Sequence, residues 1–556
     1  MAIETLLTPE YIERHTAAGF WQNKLITDYL DAAVQRNPDK EAIVDRWGRL
    51  TYGKLDQLAD RVAMGLLELG LGPGDITALQ LPNWHQFAVF HVALTRIGAI
   101  TSNVPHIFRH HEMSYVLGFT EAKALVIPAQ FRNFDYRAMV QELRPQLPRL
   151  KHVFVIGDEA PAGMISYEEF IETPWERRRD RAALSGLLPE PNAVTQIAFT
   201  SGTTGEPKGV MHTSNTLGTQ IATLNWAYDM GEDDVIFMAS PVGHHTGFLV
   251  AVRQPITLGC KAVYQEQWLP AEGIALMAEE GVTFTLSATT FLQDVVYSPD
   301  LARYDHLPLL RAFITGGAPV PSKMLADARE RLPHTFVAAL FGMTENGPIT
   351  LVPPGAPVAK VVDSDGCACP AAEIKIIGPD GQEVPRGTDG ELVLRSAQQT
   401  VGYYGRPDAN AAAYMPDGFF HTGDQARMDE DGYIRITGRI KDLIIRGGEN
   451  ISPVEIEGIL FAHPKVANVA VVGMPDARLG ERICAYIVPR EGETISIEEV
   501  VAWMAEAGVA KPKWPQRLEV VDALPRTPAG KVQKFVLRQW ITAKLAAEGG
   551  EAAKQG

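Results

Sequence analysis

The chain has 556 residues, too many for one ordinary hydrophobic core, so several domains or subdomains are expected. Its composition, 46% hydrophobic and 21% charged, is that of a soluble globular protein, and no apolar run is long enough to span a membrane. A net charge of −16 argues against nonspecific nucleic-acid binding, and it requires local positive charge wherever an anionic substrate is held.

The first residues contain acidic side chains and lack a basic-then-apolar leader pattern, which points to the cytoplasm. The chain has 4 cysteines. Cys367 and Cys369 are too close together and too isolated to form half a zinc site, so reduced thiols are expected.

The opening third alternates helix-like and strand-like segments. Thr51 is placed to cap a helix on which Leu55, Leu58, Val62, Leu66 and Leu69 recur at helical spacing, and glycines at 70, 72 and 74 stop it. Residues 76–81, 124–127 and 152–156 read as buried strands, with 85–97 a helix between them. This alternation predicts an α/β fold with a mostly parallel sheet. The charged stretch 175–181 reads as a solvated connector.

Residues 200–209, Thr-Ser-Gly-Thr-Thr-Gly-Glu-Pro-Lys-Gly, follow an apolar run and concentrate hydroxyls, glycines and a lysine in one loop. Glycine lets backbone N–H groups approach phosphate oxygens, hydroxyls add donors, and lysine supplies compensating charge. A Walker-type loop needs Gly-Lys-Ser/Thr opening a helix. Here Pro207 precedes Lys208, and Gly209-Val210-Met211 reads as a strand, so the expectation is a different polyphosphate cradle.

Residues 235–239 form a predicted strand leading to a loop with His244 and His245, which lack the companion ligands of a metal site. The segments 313–319 and 337–345 each read as a strand ending in a glycine-containing turn, and such strand ends gather ligands in open α/β sheets. Thr344 and Glu345 supply hard oxygens suited to Mg2+ carried by phosphate. From residue 374 the pattern changes to short strands broken by turns. A small α/β domain is expected to begin near Lys441, and its loop 524–531 presents Lys531. The residues from about Glu548 are too polar to be expected to pack.

In this order, the segments 200–209, 341–345, 422–424, 438–450 and 525–531 resemble the adenylate-forming superfamily of acyl-CoA synthetases, adenylation domains and beetle luciferases. The resemblance covers residues 26–537. The stretches 108–112 and 131–136 more weakly resemble its cyclohexanecarboxylate and medium-chain branch. It implies a large N-terminal domain, 1–440, with mostly parallel sheets and a distorted β-barrel-like part, a mobile C-terminal domain, 441–545, and a flexible tail, 546–556. It also implies ATP, Mg2+ and coenzyme A, and a two-step reaction in which an acid is adenylated and then passed to a thiol.

Carried over by position, Thr200, Ser201, Gly202, Thr203, Thr204 and Lys208 would hold the β- and γ-phosphates, and Thr344 and Glu345 the phosphate and Mg2+. Gly317, Ala318 and Phe341 would line the adenine slot, while Asp424 and Arg439 would hold the ribose. Lys531 would bridge the acid and the α-phosphate, Lys441 would be the hinge, and Gly448 would line a pantetheine tunnel. His244, Phe248, Gly316, Leu340, Gly342 and Gly347 would border the acyl pocket, with His244 as its gate or wall. The expected substrate is an apolar monocarboxylic acid, medium-chain, alicyclic or aromatic. A loader of acyl-carrier protein and a nonenzymatic nucleotide sensor are the alternatives, and the oligomeric state is not legible.

Overall fold

The computed structural model describes residues 3–157, 159–177, 181–200, 207–476, 478–527 and 530–555. Two large sheets organise the N-terminal domain. One has seven strands in the order Lys208–Thr213, Val194–Thr200, Ile100–Asn103, Ile76–Leu79, Ala124–Pro128, His152–Ile156 and Ile165–Ser166. Its strands are parallel except at the Lys208–Thr213 edge. The other has nine, with a parallel centre running from Phe336–Met343 through Ala312–Gly316, Phe284–Ala288, Val235–Met238 and Lys261–Tyr264 to Glu41–Asp45. Antiparallel strands close it at both ends.

The predicted cap at Thr51 is in place: its side chain accepts from the Lys54 N–H and opens the helix Tyr52–Glu68, whose Leu55, Leu58, Val62 and Leu66 are buried. The helix His85–Arg96 is buried on all sides after His85, consistent with apolar residues all round it. It packs in the core that both sheets share.

Four strands, Ala372–Ile377, Asp389–Ser396, Phe420–Met428 and Ile434–Arg439, make an antiparallel meander. The smaller C-terminal domain has a five-stranded sheet with its own core of Ile444, Ile456, Leu460, Val471, Ile483 and Val500 among others. It is seated on the large domain. Phe461 joins the large domain's hydrophobic cluster that also holds Phe291 and Leu325, and Gln293 Nε2 donates to the Ala467 carbonyl at 2.9 Å.

Two local expectations are revised. Strand Phe336–Met343 continues through the residues expected to turn, because the antiparallel partner Gly347–Leu351 pairs with Phe341 and Met343; the reversal falls at residues 344–346. The connector at 175–181 is not simply a solvated face. Trp175 Nε1 donates to the Phe170 carbonyl, and Arg181 pairs with Asp56 and Asp60. At the C-terminus, the helix Lys534–Gln555 runs past Glu548, which accepts from Arg517 at 2.6 Å. Among the described residues, no helix is long and apolar enough to cross a membrane.

Candidate active site

The carboxyl ends of the parallel strands in the nine-stranded sheet open on a cavity of about 730 Å3, part of it continuous with solvent. Leu286, Ser287 and Ala288 line it from one strand, Gly316 and Gly317 from the next, and Leu340, Gly342 and Met343 from a third. Ser240, His244, His245 and Thr246 come from the loop after Val235–Met238, and Leu249 and Val250 from the π-helical turn beyond it. Several glycines are required here by close backbone approach. A Cβ at Gly316 would stand 2.7 Å from the Leu340 carbonyl oxygen, and one at Gly342 would stand 2.5 Å from that of Gly347.

Lys531 is the C-terminal domain's residue in this wall. Its Cε lies 3.3 Å and its Nζ 3.8 Å from where a Cβ of Gly317 would be. The loop that carries it is braced at Thr527, whose N–H donates to the Lys531 carbonyl at 2.7 Å and whose Oγ1 accepts from the Lys531 N–H at 3.1 Å. Burial and Arg439 push the ammonium below its ordinary pKa, while Asp424 and Glu345 pull it back up. Gly530, at φ +82°, presses the loop against Thr290 of the large domain, where an added Cβ would collide with the hydroxyl. Gly530→Ala is therefore expected to lower the reaction that uses Lys531 about tenfold by displacing the loop, with the thermal transition little changed. Steady-state rates and a melting curve on the same preparation check this, and an unaltered rate would mean that Thr290 rotates aside.

Asp424 is buried and accepts from Arg439 Nε at 2.9 Å. Burial raises its pKa, and Arg439, Lys531 and Lys441 oppose that rise. Glu345 is 8% exposed and accepts from the Tyr403 hydroxyl at 2.9 Å. Burial pushes this carboxyl up as well, against Tyr403, Arg439 and Lys208. Lys208 Nζ stands 4.8 Å over the Tyr403 ring, so Tyr403 links the end of the 200–209 loop to Glu345. Four cations, Arg439, Lys208, Lys531 and Lys441, thus act on two buried carboxylates, giving the locally positive site that an anionic substrate needs on an acidic protein.

Thr344 lines the cavity, and its carbonyl accepts from His212 Nε2 at 2.8 Å. His244 also lines it, with a pKa pushed down to about 4 by burial and then by Lys531, so the ring is neutral at pH 7. Gly347 lines the wall, and a Cβ there would strike Gln220.

Phe248 is a correction. It is fully buried in the core against Phe87 and His91, while the next two residues of the turn, Leu249 and Val250, face the cavity in its place. Sequence spacing places the segment but not the rotation of a π-helical turn. Ala318 and Phe341 stand outside the cavity wall; Phe341 is half-buried against the cluster of Ile376 and Leu392. Gly448 lies on the exposed turn between Ile444–Arg446 and Glu449–Ile451, at φ +90°, with no atom within 4 Å of an added Cβ. Lys441 lies in the short turn Ile440–Asp442 that joins the two domains. Ser201, Gly202, Thr203 and Thr204 lie outside the described residues, and Thr200 is at their edge, paired across the strand with Lys208.

Two large sheets, an antiparallel meander and a small domain that puts a lysine beside a glycine-walled cavity define an adenylate-forming ligase. Over residues 30–404 the chain matches the AMP-binding enzyme family, and over 455–531 the AMP-binding enzyme C-terminal domain. The chain belongs to that family. It is 36% identical to a medium-chain fatty-acid–CoA ligase of Escherichia coli, over 95% of this chain and 92% of the relative. A salicyl-AMP ligase / salicyl-S-ArCP synthetase of Mycobacterium tuberculosis is 33% identical, over 94% and 92% of the two chains. The structure of ATP-bound MatB from Rhodopseudomonas palustris superposes with a TM-score of 0.81 at 29% identity, covering 92% of this chain and 98% of that one.

Proposed function

We propose that the protein is an acid–CoA ligase acting on a monocarboxylic acid of medium chain length or with a single ring, such as an alicyclic acid. The observation that carries this reading is Lys531 standing in the wall of a cavity whose side chains are otherwise mainly apolar: Leu224, Leu249, Val250, Leu286, Leu340 and Met343. Among the described residues of that wall Lys531 is the one Lys, Arg, Asp or Glu, which suits an acid with one carboxylate to be activated and none to be anchored. The E. coli relative's medium-chain fatty acids support the same size class.

In the first half-reaction a carboxylate oxygen of the acid bonds to the α-phosphorus of ATP, and the bond from that phosphorus to pyrophosphate breaks. The obstacle is the approach of two anions. Lys531 neutralises both and holds them in line, while Lys208, with the 200–204 loop, holds the departing phosphates. Asp424 and Arg439 seat the ribose, and Ala318, Gly317 and the half-buried ring of Phe341 border the adenine.

Among the described residues no cluster of three His, Cys, Asp or Glu could cage a metal. Glu345, a buried carboxylate held by Tyr403, fits a Mg2+ that arrives with the triphosphate, and Thr344 adds a hydroxyl. Bound there, the ion supplies charge neutralisation of the phosphates.

In the second half-reaction the thiol sulfur of coenzyme A bonds to the acyl carbon, the bond from that carbon to the phosphate oxygen breaks, and AMP leaves while the thiol proton is lost to solvent. Residues 441–545 form the unit that turns about Lys441, withdrawing Lys531 and bringing Gly448 to line the thiol's path; 546–556 form the tail. Lys531 at the cavity and Gly448 exposed fit a molecule poised for the first half-reaction. The four free thiols fit a reducing cytoplasm. Loading of a carrier protein is the second reading, favoured by the M. tuberculosis relative's name.

Acid-dependent exchange of labelled pyrophosphate into ATP, across medium-chain, alicyclic and aromatic acids, tests the assignment, with coenzyme A and a carrier protein compared as acceptors. We expect exchange above background for medium-chain or alicyclic acids, and thioester formation with coenzyme A. Release of ADP in place of AMP, or no exchange with any acid, would overturn the reading.

A further inference from the structure

One chain of hydrogen bonds in the cavity wall fixes a tautomer. The backbone carbonyl of Gln398 accepts from Gln220 Nε2 at 3.0 Å. A carbonyl only accepts, so the Gln220 amide cannot be turned round, and its oxygen is the atom that stands 2.8 Å from His245 Nε2. That oxygen also only accepts, so His245 Nε2 carries the hydrogen. The ring is buried and stacked on His212, with centroids 4.9 Å apart. Burial, with His212 and His244 nearby, keeps it neutral well below its ordinary pKa. A neutral imidazole protonated at Nε2 has a bare lone pair at Nδ1.

His245 lines the cavity, and its Nδ1 is buried with no hydrogen-bond partner among the described residues. Ser287, also in the wall, has a buried and equally unpartnered Oγ. No other side-chain nitrogen or oxygen of the described cavity lining is in that condition. A buried acceptor left unpaired is costly, and a hydrocarbon substrate would leave it so.

We propose that the acid activated in this cavity carries a hydroxyl or amino group whose hydrogen is accepted by His245 Nδ1, with Ser287 as a second polar contact. This rests on reading the cavity as the acyl site of an acid ligase. It narrows the substrate class to a hydroxy- or amino-substituted acid with a mainly apolar body. It also makes Gln220 and Gln398 positioning residues, which hold the His245 lone pair free for the substrate.

The test compares matched acids in the pyrophosphate exchange assay with the full-length enzyme. The probes are cyclohexanecarboxylate and benzoate, their 2-, 3- and 4-hydroxy derivatives, and the corresponding methoxy compounds, which keep the oxygen but lose the donor. At least one hydroxy isomer should exceed its parent acid by roughly tenfold to a hundredfold in kcat/KM, and its methoxy analogue should lose that gain. In His245→Leu the ratio of hydroxy to parent acid should fall toward one. The wild-type comparison decides the matter even if that variant fails to fold. Parent acids equal to or better than every hydroxy isomer would overturn this inference while leaving the ligase reading intact, as would a hydroxyl preference that survives in a folded His245→Leu. No exchange with any acid would overturn both.

Discussion

Lys531→Ala is expected to lower acid-dependent pyrophosphate exchange by about a hundredfold to a thousandfold, while thioester formation from supplied acyl-adenylate stays within a few-fold of wild type. The asymmetry follows from where the lysine sits. It lies against Gly317 in the cavity wall, on a loop of the small domain, and its charge interacts with Asp424 and Glu345. In the first half-reaction two anions must meet, and among the described residues no other Lys or Arg lines that wall. In the second a thiol attacks an already activated carbonyl, and the residue proposed to serve it, Gly448, is 83 positions away on an exposed turn. Lys531→Arg tests geometry against charge: the planar guanidinium keeps the charge but does not fit as a compact point donor, so exchange should remain well below wild type. Rapid-mix measurement of each half-reaction separates these cases, and equal loss of both in Lys531→Ala would refute the division of labour.

Much of this arrangement is legible in the sequence because glycine and charge leave traces at fixed positions. The strand register that brings Gly316 beside Leu340 needs no side chain at Gly316, and the run around it records that need. Lys208, Asp424, Arg439 and Lys531 are charged residues in turn-rich segments, where a core role is excluded. Tyr403 left no such trace. It holds Glu345 from 58 positions away, through a hydroxyl that any tyrosine has. The network of Gln398, Gln220 and His245 spans 178 and 25 positions, and glutamines carry no spacing signal. Phe248 shows the opposite failure. Its position is close to the cavity, but the local turn buries it, and one residue of rotation exchanges wall for core. The sheets were readable from alternation, whereas the long strands Val466–Asp476 and Gly480–Pro489 extend beyond their apolar stretches because they pair with one another along their length.

Glu345→Gln should cost at least a hundredfold in exchange and raise the magnesium concentration needed for half-maximal rate. Glutamine preserves the size of the side chain and can still accept from the Tyr403 hydroxyl, so the loss isolates the charge. That charge is held at a cost, since burial alone drives the carboxyl toward its neutral form, and Tyr403, Arg439 and Lys208 act against this. A purely structural Glu345 would behave in the reverse way: the neutral amide would relieve the burial penalty, and the protein would melt at a higher temperature with its activity kept. Tyr403→Phe provides the intermediate case. It removes one hydrogen bond to Glu345 but leaves the ring beneath Lys208, so exchange should fall about threefold to tenfold with a smaller change in magnesium dependence. Magnesium titrations of the three proteins at fixed ATP distinguish the readings. Should Glu345→Gln keep exchange within threefold of wild type at every magnesium concentration, the carboxylate's assignment to the metal-bearing phosphates would be wrong.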